Sequence, residues 1–158
     1  MECKNLFFKT LCEAAPVLKA EIRGGSAYPD MAGCAYVYEV AGGVLFSVEI
    51  SGMPYNPVNN VPYFLGMHIH EKGDCSRNFE NTGMHYNPYN TVHPHHRGDL
   101  PSILNNNGYA YMVFYDEFLS VNEIVNRSII IHADRDDFTS QPAGNSGNKI
   151  GCGVFKRI

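Results

Sequence analysis

No window of this chain longer than about 10 residues keeps a helical period. Apolar residues recur instead in short alternating or β-branched runs, and 15 glycines and 9 prolines fall between those runs. Period-two alternation is what a strand half-buried on one face requires, and Gly and Pro serve the turns between strands. The pattern predicts an all-β fold, a sandwich or barrel, and 158 residues suit one domain with one core. Strands are expected over 17–22, 34–40, 44–50, 63–70, 109–115, 128–132 and 150–155. Ala41-Gly42-Gly43 supplies a tight turn between the second and third, because glycine accepts the positive φ of hairpin turns. Asn105-Asn106-Asn107-Gly108 introduces the run at Tyr109 in the same way. Ser120 followed three residues later by Glu123 is a capping-box pattern and marks the one predicted helical turn.

The chemistry sits in two segments that break this rhythm, 71–100 and 133–149, both polar and rich in turn residues. Loops this long in a small domain are usually functional. All seven histidines lie between positions 68 and 132, and His68, His70, His85, His93, His95 and His96 fall within 29 residues. On a strand, His68 and His70 project from one face roughly 7 Å apart and can converge on one ion. His132, at the end of another run, is available to close a site around them, an all-nitrogen environment that favours Cu(II). His85, His93 and His96 with Asp99 make three nitrogens and one carboxylate, a complete tetrahedral zinc set. His95 adjoins His96, and either could be the third zinc histidine; the spacing to Gly98-Asp99 favours His96 and leaves His95 a solvent-facing loop residue.

The order and spacing of five motifs resemble the copper/zinc superoxide dismutase family, a bacterial-type member, over nearly the whole chain. They are Gly66-Met67-His68-Ile69-His70-Glu71, Gly83-Met84-His85-Tyr86-Asn87-Pro88, and His96-Arg97-Gly98-Asp99-Leu100-Pro101. Ile131-His132 with Asp136-Asp137 follows, and then the stretch from Gly144-Asn145-Ser146-Gly147 through Lys149 to Gly153-Val154. The resemblance implies an eight-stranded, immunoglobulin-like Greek-key β-barrel. It implies copper on His68, His70, His85 and His132, and zinc on His85, His93, His96 and Asp99, with His85 bridging the two. Asp136 would join a copper-bound to a zinc-bound histidine from the outer shell, and Cys75 and Cys152 would form a disulfide. The activity implied is disproportionation of superoxide to oxygen and hydrogen peroxide by Cu(II)/Cu(I) cycling, with zinc structural and His85 passing a proton.

One departure bears on the substrate. Lys149 stands where the family usually has an arginine that guides the anion; it keeps the charge and loses the planar fork, so weaker anion positioning is expected. Ala143 stands where animal members of the family often carry a hydroxyl residue at the channel rim, and Arg135 is expected to add to the local positive field.

The net charge of −4, without a basic cluster, argues against nucleic acid as a partner. No apolar run approaches the ~18 residues of a membrane span. Phe7, Phe8 and Leu11 are interrupted by Glu2, Lys4 and Lys9, so no secretory leader is read, and five cysteines leave one unpaired in any monomer. Cys3, Cys12 and Cys34 are expected as ordinary thiols, and a cytoplasmic address and a monomer or homodimer follow as expectations. No Cys-x-x-Cys pair of the metallochaperone kind occurs. Residues 1–16 have no place in the barrel and are expected to be an arm or a short packing element.

Overall fold

The structure, a computed structural model, describes residues 6–55 and 63–158. Its strands are β1 (Leu18–Gly24), β2 (Ala32–Val40), β3 (Gly43–Ser51), β4 (Tyr63–Leu65), β5 (Met67–His70), β6 (Ile103–Asn105), β7 (Ala110–Asp116), β8 (Ser128–His132), β9 (Lys149–Val154) and β10 (Lys156–Arg157). Eight form one sheet in the order β5-β8-β9-β1-β2-β3-β7, with β10 paired to β1, while β4 and β6 pair separately. Every pairing is antiparallel, and distant segments lie side by side, β9 against β1 and β3 against β7, through Greek-key crossovers.

Alternation decides which residues face inward. Leu18, Ala20 and Ile22 of β1, Phe46 and Val48 of β3, Met67 and Ile69 of β5, and Ile129 and Ile131 of β8 belong to one buried cluster. Strands from opposite ends of the sheet order thus share one core, so the sheet curls on itself into the expected barrel-like form. Phe46 stacks on Phe114 with ring centres 4.8 Å apart and meets Phe155 edge-on at 6.2 Å. Burying a side chain of this size contributes about 1.5–3 kcal/mol, so this cluster is the main favourable term in folding.

The β2–β3 turn falls at Ala41-Gly42, where Val40 pairs with Gly43 and Gly42 has φ +86°. Between β6 and β7, Asn107 and Gly108 both adopt positive φ, +52° and +92°, as a two-residue hairpin requires. The predicted helical turn is α2 (Val121–Ile124), where the Glu123 carboxylate accepts hydrogen bonds from the Ser120 backbone N–H and hydroxyl.

Three expectations are corrected. The single strand expected over 63–70 is two, β4 and β5, broken at Gly66, whose N–H donates to the Asp134 carbonyl and whose carbonyl accepts from the His132 N–H. The strands β6 and β10 were not expected, being too short to show an alternation. The predicted helical turn is not alone either: α1 (Leu6–Glu13) lies against β2, two turns being too few to show a period in sequence. Part of the 1–16 segment is therefore a packing element, while residues 1–5, Cys3 among them, lie outside the described residues. Cys12 is a free, exposed thiol and Cys34 a free, half-buried one.

Candidate metal centre

The site lies on the outer face of β5 and β8, under the two long loops. With Met67 and Ile69 turned into the core, period two forces His68 and His70 to the opposite face. β8 runs antiparallel, setting Ile130 opposite His68 and Ser128 opposite His70. A register shift between Ile131 and His132 ends β8 with His132 paired to Lys149.

The 71–100 loop is laced to β5 by its backbone. Ile69 N–H donates to the Gly98 carbonyl, Tyr86 N–H to the Ile69 carbonyl, and Gly98 N–H to the Tyr86 carbonyl, each at 2.8 Å. This brings Asp99 opposite His68 and His85 opposite His70. Gly98 is required at the crossing, because a Cβ there would run into the Ile69 carbonyl. The loop's other end is tied by a disulfide between Cys75 and Cys152 of β9, packed with Phe79 and Ile130. Cross-linking to 133–149 comes from Gln141, whose side-chain amide accepts from the His93 N–H and donates to the His93 carbonyl.

Two sets of side chains result. In one, the nitrogens of His68, His70, His85 and His132 lie within 4.8 Å of one another, all four residues buried; in the other, His85, His93, His96 and the Asp99 carboxylate meet the same limit, with His85 and His93 buried and His96 and Asp99 half-buried. His85 belongs to both. His95 is exposed and in neither.

The hydrogen bonds fix which nitrogen of each ring is bare. A carbonyl or carboxylate only accepts, so the nitrogen facing it carries the proton. His70 Nδ1 donates to the Gly83 carbonyl at 2.9 Å, and His132 Nδ1 to the Gly147 carbonyl at 3.1 Å. His68 Nε2 donates to Asp136 Oδ2 at 2.8 Å, and His93 Nε2 to Asp136 Oδ1 at 2.9 Å. The nitrogens left over, Nδ1 of His68 and His93 and Nε2 of His70 and His132, are buried without a hydrogen-bond partner among the described residues, as are His85 Nε2 and His96 Nδ1.

Electrostatics sharpens the point. Burial, reinforced by the neighbouring His85, pushes His70 down to about 2. Burial and the neighbouring His68 lower His132 to about 3, and burial lowers His68. These rings are neutral near pH 7 and present lone pairs. Burial would raise the Asp99 carboxyl, but the hydrogen bond from His85, the largest of the opposing influences, helps hold it below its usual range. Asp136 is likewise held at about 2 against the effect of burial, by bonds from His68, the Phe138 N–H and His93. In the second set His85 Nδ1 donates to Asp99 Oδ1 at 2.7 Å, while the bare Nδ1 atoms of His93 and His96 face Asp99 oxygens at 3.1 and 3.3 Å. Lone pairs facing a carboxylate at such distances repel unless a cation lies among them, and buried polar atoms are rarely left unpaired. The residues present therefore fit two cations, an all-nitrogen set suited to copper and a three-nitrogen, one-carboxylate set suited to zinc.

Lys149 lies beside the all-histidine set. Its ammonium donates to Thr82 Oγ1 and the Gly83 carbonyl at 2.8 Å and to the Phe79 carbonyl at 3.4 Å, and burial lowers its pKa. Arg135 is exposed on the 133–149 loop and Ala143 half-buried. Sequence reasoning missed Thr82, Gln141 and the carbonyls of Gly83 and Gly147. Backbone acceptors leave no mark on residue type, and only the five-motif match points to the segments that hold them.

A family model described as copper/zinc superoxide dismutase matches residues 32–155. The chain is 34% identical over 140 residues to superoxide dismutase (Cu-Zn) 3 of Arabidopsis thaliana, covering 78% of this chain and 81% of that protein. It is 31% identical over 155 residues to superoxide dismutase (Cu-Zn) 2 of Aquifex aeolicus, covering 88% and 87%. A crystal structure of a double mutant of a superoxide-dismutase-like protein from Bacillus subtilis superposes with a TM-score of 0.74 at 29% identity, covering 85% of this chain and 94% of that one.

Proposed function

The chain belongs to the copper/zinc superoxide dismutase family, and from that footing we propose that it disproportionates superoxide to oxygen and hydrogen peroxide, with copper in the all-histidine set and zinc in the set completed by Asp99. The observation that carries this reading is the convergence of bare, buried imidazole nitrogens on two adjacent points that share His85. Bound there, copper supplies a one-electron couple and zinc a fixed divalent charge.

The chain's own residues do the rest. Two superoxide ions consume two protons in becoming oxygen and hydrogen peroxide. His85 Nε2, facing the all-histidine set with no other partner among the described residues, is the atom that can hold a proton and hand it on. Asp136 fixes the tautomers of His68 and His93 at once, so a shift in one set is felt in the other. Lys149 supplies positive charge beside His70 and His132. Its three N–H donors are all engaged by the loop, so it attracts an anion by charge and does not grip it as a guanidinium fork does.

The test is reconstitution with copper and zinc, elemental analysis of metal per chain, and superoxide decay on the same sample. About one copper and one zinc per chain with copper-dependent turnover is the expected result. Zinc uptake without copper, or copper without turnover, would contradict the reading and leave a zinc-binding barrel.

A further inference from the structure

Thr82 stands out among the residues that neither the motifs nor the metal sets include. It is fully buried, in the 71–100 loop between the disulfide and His85. Its hydroxyl donates to the Phe79 carbonyl at 2.8 Å and accepts from the Lys149 ammonium at 2.8 Å. The same oxygen lies 3.5 Å from His70 Nδ1, whose proton goes to the Gly83 carbonyl, and that carbonyl also accepts from Lys149.

We propose that Thr82 is a positioning residue for the anion site: its hydroxyl fixes the Lys149 ammonium beside the all-histidine set, and this chain depends on it because a lysine stands there. The inference rests on the functional reading above. The physical case is one of degrees of freedom. A lysine side chain has four rotatable stem bonds and a point charge, so its ammonium is placed only by what it bonds to. Here two short bonds set the position, one to a backbone carbonyl and one to Thr82; the third, to the Phe79 carbonyl, is long. The Thr82 hydroxyl is oriented in turn, since its single proton is committed to Phe79 and a lone pair is left toward Lys149. Phe79 holds its carbonyl in place from a left-handed turn, where Arg77, Asn78 and Phe79 have φ +52°, +51° and +73°. The order Lys149 N–H to Thr82 O–H to Phe79 carbonyl is donor to acceptor at every link, and removing the hydroxyl leaves the ammonium with one strong anchor.

The test compares Thr82→Val, which keeps the volume, with Thr82→Ser, which keeps the hydroxyl, each alone and combined with Lys149→Met. Two readouts are taken. Azide affinity of the copper- and zinc-loaded protein, followed by its visible spectrum, reports the anion site. Acetylation of Lys149 in the metal-free protein, followed by mass spectrometry of the peptide that contains it, reports how firmly the ammonium is held and needs no metal. Thr82→Val should weaken azide binding roughly 3- to 10-fold and speed acetylation of Lys149 by a similar factor, the net worth of one ordinary hydrogen bond, since the ammonium keeps its other partners. Thr82→Ser should restore both, and in the Lys149→Met background Thr82→Val should leave azide affinity unchanged. Unchanged acetylation in Thr82→Val, a serine variant that behaves like valine, or an equal azide effect with Lys149 absent would overturn the proposal. A protein that takes up no copper would defeat the dismutase reading while the acetylation result still decides the role of Thr82.

Discussion

Gly144 shows how tightly the outer shell of the site is drawn. It has φ +63°, and a Cβ there would run into the Asp136 carboxylate and lie 2.7 Å from His93 Nε2. Two separate penalties act on any side chain: the left-handed backbone, about 1 kcal/mol, and displacement of the carboxylate that both His68 and His93 bond to. Gly144→Ala is therefore expected to lower zinc affinity about 10- to 100-fold, the usual cost of disturbing a ligand's outer partner. Chelator competition measures this, and unchanged affinity would mean that Asp136 does not orient His93. At this scale much was legible: the seven side chains of the two sets are distinguishable by residue type and by their order along the chain. The carbonyls that choose each tautomer were not, because every residue carries one and only the folded backbone aims it.

The elements explain why those side chains meet. β5 and β8 present His68, His70 and His132 to one face because their other face is core, and that alternation is visible in the sequence. The break at Gly66 was not, since a run of apolar residues reads as one strand until its neighbours show that β4 pairs with β6 and β5 with β8. With only a short, kinked 3-10 turn at Arg77–Thr82, the 71–100 loop is fixed by the bonds of Tyr86 and Gly98 to Ile69 and by the disulfide across a sequence separation of 77. Closing so long a loop in the unfolded chain corresponds to about 4 kcal/mol. Cys152→Ser should accordingly lower the free energy of denaturant unfolding of the metal-free protein by a large part of that, and a change within ~0.5 kcal/mol, the range of an ordinary surface substitution, would contradict the role given to the bond.

For the molecule as a whole, the buried histidines set how stability depends on pH. In the metal-free folded chain His70 and His132 bind protons only near about 2 and 3, whereas an unfolded histidine binds one near 6.5. Below 6.5 the unfolded state therefore holds more protons, and the stability these rings contribute is complete above 6.5 and lost as the pH falls toward 3. Asp136, held at about 2, adds a loss at lower pH, below the usual carboxylate range. Thermal unfolding of the metal-free protein should give a midpoint that is level above neutrality and falls steadily on acidification; a midpoint level down to pH 4 would be inconsistent with neutral buried rings. The same neutrality yields the most direct test of the central claim, that one imidazole serves both metals. With zinc held at His85 Nδ1, the single proton of that ring would lie on Nε2; at pH 7 His68, His70 and His132 have no charge to give up when copper enters, so the proton to be displaced is that one. Proton release on adding copper, measured with an indicator dye, should be about one per chain in the native sequence and absent in His85→Ala. No release from the native protein, or equal release from both, would show that His85 is not shared.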